Sequence, residues 1–373
     1  MDNRARTMKC LIWDLDNTLW LGTLTEDAEV VPADYIRRIV TTLDARGILQ
    51  SVASRNDHDQ AWARLEELGL AEYFVLPRIG WGPKSESVRM IADELSFALG
   101  TIAFVDDQPA ERAEVAFHLP EVRCYTAEQV PRLLELAEFS PATITADSAQ
   151  RRVMYQSGFR RAEEQAAFGG TEEEFLRSLD IVMHIARADV SELARVEELT
   201  LRTSQMNATG IHYDDAALRK LLGDPGHEVL VVSMADRFGP HGAVGVLLLE
   251  CLPAVWHLKL LATSCRVVPF GAGTAILNWL IDQAARTGTH VVADFRPTAR
   301  NRMMEIAYRF AGLTDKPCTC VADLAADADA DADLADVQRL HVTPGRRPAP
   351  STMTVEAVDL AESQPWRRVS SVD

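Results

Sequence analysis

The stretch MKCLIWDLDNTLWLGTL, residues 8–24, decides how the first part of the chain folds. An apolar run from Cys10 to Trp13 ends at Asp14, and one residue later comes Asp16, with Asn17 and Thr18 close behind. A short apolar run bounded by polar residues reads as a buried strand. Two carboxylates at its mouth need a physical reason, because burying one without a partner costs several kcal/mol or shifts its pKa until it is neutral. The pair implies a cation, or a reaction that uses both.

The pattern around this stretch alternates. Periodicity predicts strands at 9–14, 48–54, 73–76 and 101–105, separated by helices at 34–46, 57–68, 84–95 and 111–118. This rhythm predicts an α/β domain over residues 8–127, with a Rossmann-like parallel sheet whose ligands collect at the carboxyl ends of its strands. Those ends carry Asp14, Ser54 and the pair Asp106 and Asp107, while Lys84 follows the turn-rich GWGP segment in the first turn of a helix.

Residues 128–175 read as a charged helical connector containing RRVMYQSGFRRAEEQ. A second domain, α+β and rich in antiparallel strands, is predicted over 176–345, with strands at 181–188, 229–235, 244–251, 256–262 and 290–295. Helices are predicted there at 191–202, 273–285 and 298–311, and residues 346–373 read as a flexible tail. The run ADLAADADADADLAD, 322–336, has the Asp spacing of a calcium loop. Ala332 stands where that loop needs glycine and Gln338 where it needs glutamate, which leaves a solvated acidic loop as the reading.

Composition narrows the class further. The chain has 373 residues, 47% hydrophobic and 25% charged, long enough for two domains. Its net charge of −17 argues against charge-driven binding to nucleic acid. No apolar run approaches the roughly 20 residues that cross a bilayer, and MDNRARTMKC is not followed by a secretory apolar segment. A cytoplasmic protein with no membrane partner is expected. The cysteines, Cys10, Cys124, Cys251, Cys265, Cys318 and Cys320, form neither a disulfide framework nor a zinc set of the Cys-x-x-Cys kind, and are expected to be reduced thiols.

The carboxylates suit phosphoryl transfer through an enzyme aspartate. That chemistry needs a nucleophilic carboxylate, an acid for the leaving oxygen, a divalent metal, and donors for the phosphoryl oxygens. Asp14 fits the first role and Asp16 the second. Mg²⁺ prefers oxygen ligands, and Asp14, Asp106 and the main-chain carbonyl of Asp16 supply them. Ser54 and Lys84 offer a hydroxyl and an ammonium to phosphate.

With these residues assigned, WDLDNT, SVAS ending in Ser54, Lys84 and FVDD resemble the four motifs of the haloacid dehalogenase superfamily. The intervals after Asp14 and Ser54 are too short for a cap domain, which implies a site open to large substrates. A tighter likeness lies in KCLIWDLDNTLW, GILQSVASRND, GWGPKSES and TIAFVDDQPAERAEV, which are similar to the FkbH-like family. It continues through LRTSQMNATGIHY, DRFGPHGAVGV, LATSCRVV and RPTARN, and covers residues 8–313. The resemblance implies an enzyme of polyketide pathways that moves the glyceryl group of 1,3-bisphosphoglycerate onto the phosphopantetheine thiol of an acyl carrier protein. It also implies an acetyltransferase-like second domain, in which a central strand and the following glycine turn receive the pantetheine arm.

Within that second domain PFGAGTAIL places Gly271 and Gly273 at the opening of a helix, where N–H groups can face phosphate, or where they simply make a turn. The family's Gly-Arg-Gly is replaced here by Pro269, Phe270 and Gly271. Cys265, beside Arg266 and ahead of the turn, is either a covalent acyl carrier or a structural thiol; the carrier-protein thiol attacking the acyl phosphate directly is a third route. Cys10 lies about 13 Å below Asp14 along an extended strand and reads as a buried apolar thiol. His241 and His212 are candidate bases or plain loop residues, and Asn207, Thr298 and Asn301 are candidates for lining the acyl site. Arg151, Arg152, Arg160 and Arg161 read either as a landing site for an acidic carrier or as a solvated helix. Two further functions stay open: a small-molecule phosphatase fused to an independent N-acetyltransferase, and a non-catalytic docking module.

Overall fold

A computed structural model describes residues 7–26, 29–141, 144–203, 206–298, 300–326 and 336–363. The chain divides into two compact units, Met1–Phe159 and Arg160–Asp373. The boundary falls within a helix of the expected connector, whose residues are therefore shared between the two units rather than forming a separate piece. Most of the acidic 322–336 run lies outside the described residues. Among those described, no helix is long and apolar enough to cross a membrane.

The first unit is an α/β sandwich around a five-stranded parallel sheet. Its strands are β1 (Cys10–Trp13), β2 (Leu49–Ser54), β3 (Arg78–Ile79), β4 (Ile102–Asp106) and β5 (Arg123–Thr126), in the spatial order β3-β2-β1-β4-β5. Every residue of β1 is buried, as expected of a central parallel strand covered on both faces. The connecting helices are α1 (Asp34–Ala45), α2 (His58–Glu67), α3 (Lys84–Glu94) and α4 (Pro109–His118). In α1, Ile36, Ile39, Val40 and Leu43 fall on one face and enter the core, the spacing of an amphipathic helix.

Two details depart from the sequence reading. The strand expected at 73–76 is displaced: Ala71–Tyr73 forms a 3-10 turn, and the sheet's edge strand is the two-residue β3. The fifth strand, β5, was not anticipated; it ends the sheet, and three of its four residues are only half-buried, Tyr125 alone being buried, so it lacks the apolar signature of the others.

Registry sets up the site. Trp13 pairs with Val52 on one side and Val105 on the other. The residues that follow, Asp14, Ser54 and Asp106, therefore emerge together at the carboxyl edge. The chain runs from β1 out to β3 and then returns to β4 on the other side of β1, so this edge lies at a topological switch point.

Beyond β5 come α5 (Ala146–Ala149) and α6 (Arg151–Ala167). In the second unit α7 (Glu172–Ser178) leads to β6 (Ile181–Arg187), α8 (Leu193–Arg202), α9 (Asp215–Gly223), β7 (His227–Asp236), β8 (Gly239–Cys251) and β9 (Val255–Thr263). Then follow α10 (Ala272–Thr287), β10 (His290–Phe295), α11 (Arg302–Phe310), α12 (Thr319–Ala326), β11 (Gln338–Val342), β12 (Met353–Ala357) and α13 (Leu360–Ser363). The seven strands form one sheet in the order β11-β10-β9-β8-β7-β6-β12. Pairing is antiparallel from β6 to β9 and parallel between β9 and β10.

The expected flexible tail is not one over its described part. Met353–Ala357 adds to the edge of β6 in parallel, and Leu360, which follows, is fully buried. The edge of β6 supplies unpaired backbone groups, which pull in a segment whose composition alone reads as loop.

Gly47 offers a test of packing in the first unit. It has φ +71°, and a Cβ built there would lie 2.6 Å from the carbonyl oxygen of Ser148. Gly47→Ala is expected to destabilise this unit by about 1–3 kcal/mol in chemical denaturation.

Candidate active site

The carboxyl edge of the first sheet gathers one ammonium among several carboxylates. Lys84, at the first position of α3, is 2% exposed. Its Nζ lies 2.5 Å from Asp14 Oδ1, 3.2 Å from Asp106 Oδ2 and 3.1 Å from Glu111 Oε2, and donates to the Ala53 carbonyl at 2.8 Å. Burial works against the Lys84 charge, but Asp14, Asp106 and Glu111 together hold its pKa above the usual lysine value.

The carboxylates remain short of positive charge. Burial raises Asp14, against the pull of Lys84 and the Ser54 hydroxyl. Burial and then repulsion from Asp14 lift Asp106 to about 7, with Lys84 opposing. Asp107 is raised as well, chiefly by burial. Carboxylate oxygens of Asp14, Asp106 and Asp107 lie within 4.8 Å of one another, and Asp107 Oδ1 is buried without a hydrogen-bond partner. An all-oxygen set with an orphaned acceptor and a charge deficit fits Mg²⁺. Asp107 thus joins Asp14 and Asp106 as a candidate ligand, a role the sequence reading did not give it.

The side chain of Asp16 stands apart from this group. Its Oδ1 accepts hydrogen bonds from Trp20 Nε1 (2.8 Å) and the Leu24 amide (3.1 Å), and its Oδ2 accepts one from Asn56 Nδ2 (3.0 Å). Asn17 at φ 53° makes the reversal that returns the chain toward Trp20; asparagine tolerates this left-handed conformation better than most residues. Asn56 also faces Ser54 Oγ at 3.3 Å, and the Thr18 hydroxyl accepts from the Asp107 amide at 3.0 Å. Asn56, Glu111 and Asp107 complete the site; Asn56 and Glu111 carry no signal in the sequence, because each is one polar residue in a polar loop or helix start.

The second unit sorts its candidates differently. Cys265 is exposed and begins a 3-10 turn, Cys265–Phe270, capped by Ser264. Arg266 Nε donates back to Ser264 Oγ at 3.3 Å. Gly271 takes φ 71°, its amide donates to Val268, and α10 starts at Ala272 rather than Gly273. Gly271 therefore serves as the joint between two helical turns.

Asn207 and Asn301 are loop staples. Asn207 Oδ1 accepts from the amides of Thr209 (3.0 Å) and Gly210 (2.7 Å). Asn301 Nδ2 donates to the carbonyls of Asn207 (3.1 Å) and Arg296 (2.9 Å), and its Oδ1 accepts from the Thr298 amide. Their amide groups are engaged by backbone, which fixes the loops that carry them.

The pairing of β9 with β10 ends at Leu258 and Ala293, and the strands part. Met206–Ala208 pairs along the parted edge: the Ala208 amide donates to Leu261, the Thr263 amide to Met206, and the Arg296 amide to Ala208, at 3.0, 2.8 and 2.9 Å. The backbone groups along this parted edge are thereby satisfied by the chain itself.

His241 is nearly buried and its Nε2 lies 3.0 Å from Asp236 Oδ2, with Arg161 Nε 2.5 Å from the same oxygen. Burial alone would raise Asp236, but His241 and Arg161 outweigh it and hold the carboxyl well below its usual range. The His241 ring lies 5.1 Å from that of Phe270, at the end of the turn that Cys265 begins. His212 Nδ1 faces Thr200 Oγ1 at 2.9 Å.

The four arginines read as either a carrier landing site or a solvated helix make bonds within their own units. Arg152 pairs with Asp44 and covers Tyr73, Arg151 and Arg160 donate to the carbonyls of Gly47 and Phe238, and Arg161 holds Asp236.

No family model and no curated protein matches this chain. Among solved structures, the chain is similar to the N-terminal part of a Bacteroides fragilis protein containing a phosphatase domain complexed with Mg. That match has 27% identity over 36% of this chain and TM-score 0.32, and it spans only 40% of the Bacteroides chain. It is also similar to the ribosomal-protein-S18-alanine N-acetyltransferase of Escherichia coli (14% identity, 44% of this chain, 96% of that chain, TM-score 0.31). A third is a HAD-superfamily hydrolase from Ehrlichia chaffeensis (12% identity, 32% of this chain, 87% of that chain, TM-score 0.27).

Two substitutions separate charge from scaffolding. Lys84→Met strands the buried carboxylates and should cost about 3–5 kcal/mol in denaturant titration. Asn301→Ala frees the carbonyls of Asn207 and Arg296 and should cost about 1–3 kcal/mol, with its effect confined to stability.

Proposed function

We propose that the first unit is a Mg²⁺-dependent phosphohydrolase of the haloacid dehalogenase type, and that the whole chain makes a glyceryl thioester on an acyl carrier protein. The observation that carries the first statement is the meeting of Asp14, Asp106 and Glu111 on Lys84 beside the orphaned Asp107 oxygen. The second statement rests on the motif resemblance, which supplies 1,3-bisphosphoglycerate and the carrier.

In the phosphatase step an Asp14 oxygen attacks phosphorus, the bond to the leaving oxygen breaks, and that oxygen takes a proton from Asp16. Water then attacks the aspartyl phosphate and gives a proton back to Asp16, releasing inorganic phosphate and the free Asp14 carboxylate. Protonation of Asp16 at Oδ2 displaces the Asn56 donor, which already has Ser54 Oγ at 3.3 Å as a second acceptor. Lys84 holds Asp14 in place and offsets charge on the transferred group. Asp14, Asp106 and Asp107 would hold Mg²⁺, which supplies the positive charge that lets an anionic phosphate approach a carboxylate.

In the acyl step a thiolate attacks the carbonyl carbon of the acyl phosphate, the carbon–oxygen bond to phosphate breaks, and phosphate leaves with its electron pair. The exposed Cys265 or the carrier thiol itself can act; with Cys265 a second thiol exchange passes the acyl group on. The remaining phosphate ester is then hydrolysed at Asp14.

The competing reading, a phosphatase joined to an independent N-acetyltransferase, calls for a coenzyme A arm along β9. Pairing of that edge by Met206–Ala208 would meet the pantetheine of coenzyme A and of a carrier protein alike, so coenzyme A binding by the second unit is the observation that would favour this reading.

Incubation with Mg²⁺, 1,3-bisphosphoglycerate and holo carrier protein should leave the carrier heavier by one glyceryl group in intact-protein mass spectrometry. Asp14→Asn should abolish phosphate release from the phosphorylated thioester while leaving that thioester on the carrier. A carrier that stays unmodified with folded wild-type enzyme would remove the glyceryl reading. Undiminished phosphate release by Asp14→Asn would remove the phosphatase reading as well.

A further inference from the structure

Far along the chain from the carboxylates, the second unit brings together two histidines and two cysteines. His290 opens β10, His341 lies in β11, and Cys318 and Cys320 flank Thr319, the first residue of α12. One ligand atom from each falls within 4.8 Å of all the others. Cys318 Sγ is 3.5 Å from His290 Nδ1. With Zn–S near 2.3 Å and Zn–N near 2.0–2.1 Å, a tetrahedral site has sulfur-to-nitrogen edges of roughly 3.5 Å and all its edges between roughly 3.3 and 3.8 Å. One edge already has that length, and no other separation exceeds 4.8 Å.

A second observation points to a ligand. His341 is 8% exposed, yet neither Nδ1 nor Nε2 has a hydrogen-bond partner. A buried imidazole with both nitrogens unsatisfied carries a desolvation cost that nothing in the fold offsets. Its backbone is fixed on both sides, by pairing with β10 and by reciprocal hydrogen bonds with Thr314 at 2.7 and 2.8 Å, so the residue is held at this position in the sheet. It stands nearly parallel to the His290 ring, with 8° between the planes and 6.4 Å between centroids. Cys320, 6% exposed, packs with Val255, Val292 and Leu324, which shield this side from water.

We propose that His290, Cys318, Cys320 and His341 bind one Zn²⁺ as a closed structural site that fastens the start of α12 to the β10–β11 edge. Two sulfur and two nitrogen donors suit a borderline-soft cation and distinguish this site from the all-oxygen set of the first unit. With four protein ligands there is no open position for substrate, so the role is to hold three separate segments together. Metal binding lowers the free energy of the folded state, in which alone the ligands converge. The Cys-x-x-Cys spacing sought in the sequence is not what the fold uses. Here the pair is Cys-x-Cys, and the two histidines come from neighbouring strands.

The test uses the full chain, produced in zinc-supplemented medium and dialysed before elemental analysis. Roughly one zinc per chain is expected, retained in Asp14→Asn/Asp106→Asn and lost in Cys318→Ser/Cys320→Ser. Replacement by Co²⁺ in the wild-type protein should give a thiolate-to-cobalt charge-transfer band and the intense d–d bands of tetrahedral coordination. This readout needs cysteine ligands and does not depend on the variant folding. His341→Gln should weaken metal retention at least tenfold in competition with a chromogenic chelator. Absence of both zinc and the cobalt bands, full zinc retention by the double cysteine variant, or intact-mass detection of a Cys318–Cys320 disulfide in the purified chain would each overturn the site.

Discussion

The first unit depends on one buried ammonium. Lys84 cannot sit at 2% exposure without partners, and Asp14, Asp106 and Glu111 cannot share a dry edge without a cation among them. Each group makes the burial of the others tolerable. The same arrangement leaves the edge underneutralised, because Asp14, Asp106 and Asp107 lie around one lysine, while Glu111 also pairs with Arg55 at 2.8 Å. That imbalance is what suits it to a divalent cation and a phosphoryl group, and it explains why the raised carboxyls cluster here. Structural stability and chemistry are therefore not separable at this edge.

The second unit solves a different problem. Parallel strands β9 and β10 part beyond Leu258 and Ala293, which would leave backbone donors and acceptors exposed in the interior. The chain fills the gap with Met206–Ala208, and two asparagines secure the filling segment by spending their amide groups on backbone. A similar economy governs the β7–β8 turn, where Asp236 accepts from the amides of Phe238 and Gly239 while binding His241 and Arg161. These polar side chains thus keep irregular backbone satisfied. Cys265 differs from them: it is exposed at the start of a turn and remains the accessible thiol of this region.

Much of the candidate site was legible. Asp14, Ser54, Lys84 and Asp106 each follow an apolar or turn pattern that fixes their place in an element, and registry then brings them together. Glu111 and Asn56 were not legible, because their importance comes from which neighbour they face. Asp107 was visible as a strand-end residue, yet its role as a candidate ligand emerged only from an oxygen left without a partner.

The sequence by itself determined the strand–helix alternation of the first unit, its parallel sheet, the antiparallel-rich second sheet, and the position of the paired carboxylates. Those follow from periodicity and turn chemistry, which act over a few residues. Tertiary structure alone decided which backbone edge Met206–Ala208 and Met353–Ala357 would complete, and that His290, Cys318, Cys320 and His341 would converge. Such meetings depend on edges left unpaired and on strand order, and neither leaves a periodic trace along the chain.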